Sequence, residues 1–342
     1  FTTAISTNIG GTVQFKINNQ TGNPNYRIDI YRLGYYGGNG ARLITTVQHQ
    51  AATSVVQPAP LKNASTGLVD AGNWSVTDSW SIPTDAVSGV YIANVIDGTQ
   101  IFQIPFVVRN DASQSAIVFQ TADQTWQAYN PWGGANLYSG NGPGVNGSAY
   151  AVSYNRPITT RDGGLSSSSN DMVFSAEYPA IYWLEQNGYD VSYISGIDAA
   201  TNGSLLLNHQ IYMDVGHDEY WTDSQFANVQ AAGHAGVNLT FLSGNEVYWQ
   251  TRLSASIDAS HTANRTLISY KDTHANQLID PTGTATGTFM DARFASTGGM
   301  SGIPSNALTG TVFQVDGDSY GTIEIPYGMT QLRLWRNAPI AG

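Results

Sequence analysis

Eight consecutive residues, Asp214 to Trp221, hold three acids and a histidine in a chain with only 11% charged residues. His217, Asp218 and Glu219 are the residue types that bind metals or move protons. Two other stretches are similarly loaded. Thr125–Tyr138 carries Trp126, Tyr129, Trp132 and Tyr138, and Ser243–Trp249 carries Asn245, Glu246, Tyr248 and Trp249. Each follows a short apolar run that reads as a strand: Ala116–Phe119, Gln210–Val215 and Val237–Leu242. Open α/β sheets bind ligands at the carboxyl ends of their strands. If these three strands are adjacent, their loops face one crevice, which Trp126, Tyr220, Glu246 and Trp249 are expected to line.

Each group also has a structural reading. The aromatics can pack a loop layer, the histidine can be a satisfied donor, and Asp218 or Glu219 can serve a helix starting near Thr222, where the dipole favours an acid. Crowded acids raise one another's pKa unless a cation compensates. The flanking loops contain no lysine, and the nearest arginine in sequence is Arg252, so a metal ion is the simplest compensating charge. Other sites are excluded. The chain has no cysteine, hence no disulfide, thiolate nucleophile or zinc–thiolate site. It has no G-x-S-x-G elbow, no Walker A loop and no His-Glu-x-x-His pair.

The elements that must position these loops fall into two parts of the 342 residues. Residues 1–110 read as all-β. Tyr26–Leu33 alternates with period two, and Gly11–Ile17, Trp74–Trp80, Val90–Ile96 and Gln103–Val108 are further strands. Short strands with Gly/Asp/Pro turns predict an immunoglobulin-like β-sandwich. After the polar stretch Arg109–Ser115 the pattern becomes strand–helix. Helices are expected at Ala176–Asn187, closed by Gly188, and at Asp223–Ala235, capped by Thr222 and closed by Gly236, with a strand at Tyr189–Ile194 between. Residues 111–342 thus read as a doubly wound α/β domain with a Gly/Thr-rich insertion from about 280 and a C-terminal hairpin. Leu332–Arg336 reads as a strand leading onward, so the chain is expected to be part of a longer protein.

The net charge of −11, with 14 Lys+Arg against 25 Asp+Glu, argues against nucleic acid or an anionic membrane as partner. A surface of 62 Ser+Thr and 26 Asn is common in secreted, extracellular β-rich proteins, and no apolar run reaches the ~20 residues that span a bilayer. The expected partners are a small-molecule or glycan-linked substrate and, through the surface, a homo-oligomer or assembly.

Four motifs, Tyr31-Arg-Leu-Gly-Tyr-Tyr-Gly-Gly38, Trp126-Gln-Ala-Tyr-Asn-Pro-Trp-Gly-Gly134, Gly216-His-Asp-Glu-Tyr-Trp221 and Ser243-Gly-Asn-Glu-Val-Tyr-Trp249, resemble secreted relatives of the N,N-dimethylformamidase large (β) subunit. The resemblance covers roughly residues 20–280. It implies an α/β domain similar to class I glutamine amidotransferases, without their cysteine, and amidase activity at a mononuclear iron held by two tyrosines and a glutamate. By motif, the glutamate is Glu219 and the first tyrosine Tyr129. The second is Tyr138, with Tyr154 as the alternative. His217 would carry a proton to the leaving nitrogen and Asn245 would hydrogen-bond the oxyanion. Glu246 stands where the amidase has a small residue, and charges are fewer; these departures bear on the substrate rather than on the metal. Asp218 is then expected to turn away and serve the helix at Thr222. The second reading is a non-enzymatic extracellular module with an aromatic, glycan-binding crevice.

Overall fold

A computed structural model describes residues 1–159, 173–313 and 324–335. Up to Arg109 the chain forms strands, interrupted by one 3-10 turn at Tyr36–Gly38. They are β1 (Ser6–Asn8), β2 (Thr12–Phe15), β3 (Tyr26–Leu33), β4 (Ala41–His49), β5 (Leu61–Asn63), β6 (Leu68–Asp70), β7 (Asp78–Ser81), β8 (Gly89–Asp97) and β9 (Gln100–Arg109). Five of them make a sheet in the order β1-β9-β8-β3-β4, and β2 pairs with β7 over one face. Period-two alternation decides which side chains go where. Tyr91, Ala93, Phe106 and Val108 meet Val13, Phe15 and Trp80 of the β2–β7 pair. Val90, Ile92 and Val107 point the other way, into a core they share with Ile117, Phe119, Ile181, Leu184 and Tyr193 of the following segment. Both faces of this sheet are therefore covered, which is why Val90-Tyr-Ile-Ala93 is apolar without a break.

After Arg109 come β10 (Ile117–Thr121), α1 (Asp123–Tyr129), β11 (Ala151–Ser153), α2 (Tyr178–Gln186), β12 (Val191–Ser195), α3 (Gly196–Thr201), β13 (Ile211–Gly216), β14 (Tyr220–Thr222), α4 (Asp223–His234), β15 (Asn238–Ser243), β16 (Trp249–Ser254) and β17 (Thr266–Ile268). The order β12-β10-β13-β15 is a fully parallel sheet, with α1 and α2 packed on one face and α3 and α4 on the other. This is a doubly wound sheet whose strand order reverses between β10 and β13, the place where such sheets hold ligands. The three strands expected to be adjacent are adjacent. A second four-stranded sheet, β11-β17-β16-β14, stands beyond those strand ends; its short strands carry no periodic signal that separates them from loop.

Helix ends follow local chemistry. Thr222 Oγ1 accepts from Gln225 N (3.0 Å) at the start of α4, and Gly188 and Gly236 take the positive φ that closes α2 and α4. Two expectations are corrected. Thr125–Tyr138 is not all loop, because α1 forms before Pro131 ends it. The strand read at Leu332–Arg336 is a 3-10 turn at Arg333–Trp335 instead; the remainder of the expected hairpin falls at 314–323 and 336–342, outside the described residues. Among the described residues no helix is long and apolar enough to cross a membrane.

The Tyr31–Gly38 motif joins the two parts. Arg32 reaches α2 and pairs with Glu185 (2.6 and 3.1 Å), while its other donors hold Ser88 O. Gly34 leaves room for the pair, since a Cβ there would lie 2.2 Å from Glu185 Oε2 and push that side chain aside. Arg32 is buried, so removing its partner strands a charge. Glu185→Ala is expected to cost about 3 kcal/mol, read as a lower urea midpoint; an unchanged midpoint would show the pair to be dispensable.

Candidate metal centre

The carboxyl ends of β10 and β13 supply the site. α1 starts directly after β10 and ends on Tyr129; β13 ends at Gly216 and runs into His217-Asp-Glu219. Thr125 of α1 fixes that turn, its hydroxyl accepting from Glu219 N (3.0 Å) and donating to Asp218 Oδ1 (3.2 Å). The Ser243–Trp249 loop is laced to the same turn through Val247 N to Asp218 O (3.1 Å) and Trp249 N to Glu219 O (2.8 Å). This costs strain. Asn245 and Val247 hold φ of 59° and 55°, and a β-branched residue in that region is an outlier of the kind that gathers at functional sites.

Glu219, 2% exposed, is the hub. Tyr129 donates to its Oε2 (2.8 Å), Tyr138 donates to its Oε1, and Trp249 Nε1 donates to Oε1 at 2.9 Å. The two phenol rings stack at 4.6 Å, and Tyr220 meets both edge-on. Burial, then the Glu219 charge, raises the pKa of both phenols, so they hold their protons against the carboxylate. His217 Nε2 lies 3.4 Å from Glu219 Oε2, an ion-pair distance that makes no hydrogen bond.

One site residue was not anticipated. Lys271, far away in sequence, brings its ammonium 3.2 Å from the centre of the Tyr138 ring and 4.7 Å from that of Trp249. It is buried, has no hydrogen-bond partner, and burial lowers its pKa to about 7 against the pull of Glu219. The inference that no basic side chain is near the acids is thereby corrected: proximity in sequence missed a cation delivered by the turn after β17. Its signal was faint, one of three lysines beside His274, whose ring packs on Trp249 at 4.7 Å.

The other expected residues separate. Tyr154 donates to Asp123 (2.8 Å) rather than to Glu219. Asp218 does turn away, but it serves no helix. It accepts from Gln120 (2.7 Å) deep in the sheet, because Thr222 already caps α4. Glu246 accepts from Thr311 (2.5 Å) and faces Asp214. No hydrogen bond joins Asn245 to the Glu219 cluster among the described contacts. Trp126 lines no crevice; it is buried, with its Nε1 on Glu177 (3.1 Å). Tyr220 is buried behind the phenols, and Trp249 touches Glu219 itself.

Among the described residues no three His, Asp or Glu side chains gather as a metal-binding group. The donors here are of another kind, two phenols and one carboxylate, all oxygen. Hard oxygen donors suit a hard, highly charged cation. Around them three buried polar atoms lack partners among the described residues: His217 Nε2, Tyr220 OH and Lys271 Nζ. Buried polar groups are ordinarily satisfied, so the oxygen donors present are compatible with a hard cation that brings further oxygen ligands.

Behind the site lies a nest of buried acids. Burial raises Asp123 to about 6 and Glu177 to about 8. Both folded values exceed the unfolded ones, so the stability they contribute is complete below pH ~4. It is lost progressively from pH ~4 up to the folded values, about 6 for Asp123 and about 8 for Glu177. The urea midpoint is expected to fall across that window, and Glu177→Gln should flatten its upper part; an unchanged slope near pH 8 would remove Glu177 as the cause.

Comparison with curated proteins finds no match. A family match covers residues 27–340, taking in all of these motifs and nearly all the elements that position them, and on that ground the chain belongs to the N,N-dimethylformamidase beta subunit-like, C-terminal family.

Proposed function

We propose that the chain is an iron-dependent hydrolase of amide-type C–N bonds, with Tyr129, Tyr138 and Glu219 holding a mononuclear iron. The observation that carries this reading is the convergence of both phenols on one buried carboxylate at the switch point of the sheet. Family membership supports it. Bound there, iron would supply a Lewis acid that polarises a carbonyl and acidifies water. The chain's own residues do the rest. His217, whose side chain is 27% exposed while its Nε2 is buried beside Glu219, would hand a proton to the leaving nitrogen. The Lys271 ammonium offsets negative charge that builds on the oxygens. Buried Trp249 and Tyr220 keep bulk water from the carboxylate, which strengthens each electrostatic contact. Asn245, in the strained loop after β15, is the group assigned to the oxyanion through the family motif. The family also leads us to read the first part as immunoglobulin-like, the second as glutamine-amidotransferase-like, and the protein as secreted.

The test is elemental analysis of the purified chain with an assay for amine release from formamides and larger amides. About one iron per chain with amine release is expected. A glycan-binding module is the second reading. It is favoured by a groove of about 1010 Å³ remote from Glu219, lined by Trp74, Trp132, Phe102, Asn18, Asn19 and Gln100. A metal-free, folded chain retained on a glycan column would put that reading ahead.

A further inference from the structure

α1 ends on Tyr129, and its last carbonyls have no partner within the helix. Two side chains take up this end and the loop beyond it. Arg156, 1% exposed, donates from Nη2 to Gln127 O (2.6 Å) and from Nη1 to Trp132 O (2.9 Å) and Ala135 O (3.4 Å). Its Nε reaches Ser153 O (3.0 Å) and Gln127 Oε1 (3.4 Å). Every one of these acceptors is a carbonyl or amide oxygen; none is a carboxylate. Asn136 spans the two tyrosines directly. Its Nδ2 donates to Tyr129 O (3.1 Å), and its Oδ1 accepts from Tyr138 N (2.7 Å) and Ser139 N (2.8 Å).

Burying a guanidinium without a counter-charge is costly, and packing alone would be met by an apolar side chain. What the planar fork adds is simultaneous hold on one carbonyl of α1, Gln127 O, and two of the loop, Trp132 O and Ala135 O, with a cation at a helix C-terminus where the dipole favours it. The two tyrosines are nine residues apart, with Gly133 and Gly134 between them, a segment with little stiffness of its own. Yet both hydroxyls must meet one carboxylate.

We infer that Asn136 and Arg156 are positioning residues that set the spacing of the Tyr129 and Tyr138 hydroxyls without touching any ligand. That the phenols bind iron rests on the function proposed above; the spacing role itself does not. The test uses the full chain with Asn136→Asp, which keeps size and an oxygen to accept from Tyr138 N and Ser139 N but loses the donor to Tyr129 O, and Arg156→Lys, which keeps charge but loses the fork. In metal-free protein, amide hydrogen exchange across residues 127–139 is expected to quicken about tenfold or more, as lost local hydrogen bonds free the segment. The near-ultraviolet circular dichroism of the stacked phenols should fall, with far-ultraviolet signal retained. In iron-loaded protein, affinity should drop ~10–100-fold, as when outer partners of metal ligands are lost, and the phenolate-to-iron band should shift. Wild-type exchange across 127–139 with an unchanged near-ultraviolet spectrum would overturn the inference, whatever the iron does. A wild-type chain that takes up no iron would sink the functional reading while the exchange data still decide this one. If Arg156→Lys does not fold, Asn136→Asp, at a half-buried position, decides alone.

Discussion

Glu219→Gln is expected to bring iron content from about one per chain to background, while the chain stays folded. Three donors converge on this carboxylate. An amide can accept from only one side, so either Tyr129 loses its acceptor or Tyr138 and Trp249 both do. Glu219 is also the charge that holds the Lys271 ammonium in its apolar cage. The metal-free variant should therefore lose about 2 kcal/mol, the scale of a buried group left unsatisfied. The neighbouring acid provides the contrast. Asp218 is buried, and desolvation followed by the Asp214 charge raises its pKa well above the ordinary value. Asp218→Asn keeps the shape and the acceptor for Gln120 but loses the one for Thr125, so it should keep iron and lose only about 1 kcal/mol. Iron lost from Asp218→Asn but kept by Glu219→Gln would mean that the wrong acid has been assigned.

Tyr129→Phe should remove the phenolate-to-iron absorption contributed by this residue and lower iron retention at least tenfold, the loss reached when a metal site is disturbed even at its outer shell. In metal-free protein the same change deletes one hydroxyl donor and leaves the ring stacked on Tyr138, so the fold should lose only about 1 kcal/mol. The gap between those two effects is the diagnostic quantity. Tyr154→Phe is the control: its hydroxyl serves Asp123, not Glu219, and iron should stay. A folded Tyr129→Phe chain that keeps its iron and its colour would take Tyr129 out of the site.

Much of the architecture was legible where periodicity is strong. β3 occupies the residues expected for it, and α2 and α4 end where glycine permits the closing turn. Weak signals failed for identifiable reasons. β4 alternates poorly because most of its side chains stay accessible on both faces. α1 is seven residues of mixed polarity, too short for helical spacing to register, and its stability comes from packing and from Arg156 rather than from propensity.

What the sequence by itself determined is which loops carry the chemistry. Apolar strands, the residues at their ends and the parallel winding are local properties, and a doubly wound sheet places such ends together whatever the side chains are. Only the tertiary structure decided which acid faces the phenols. Asp218 and Glu219 are adjacent, and in extended chain adjacent side chains point to opposite sides; the pairing of the turn with Thr125 and with the Val247–Trp249 backbone set which one turned inward. The tertiary structure also delivered Lys271 and Arg156, one over the phenols and one behind them. Burying a charge costs less where surrounding dipoles and rings are already in place, and those surroundings come from segments with no contact in the linear chain.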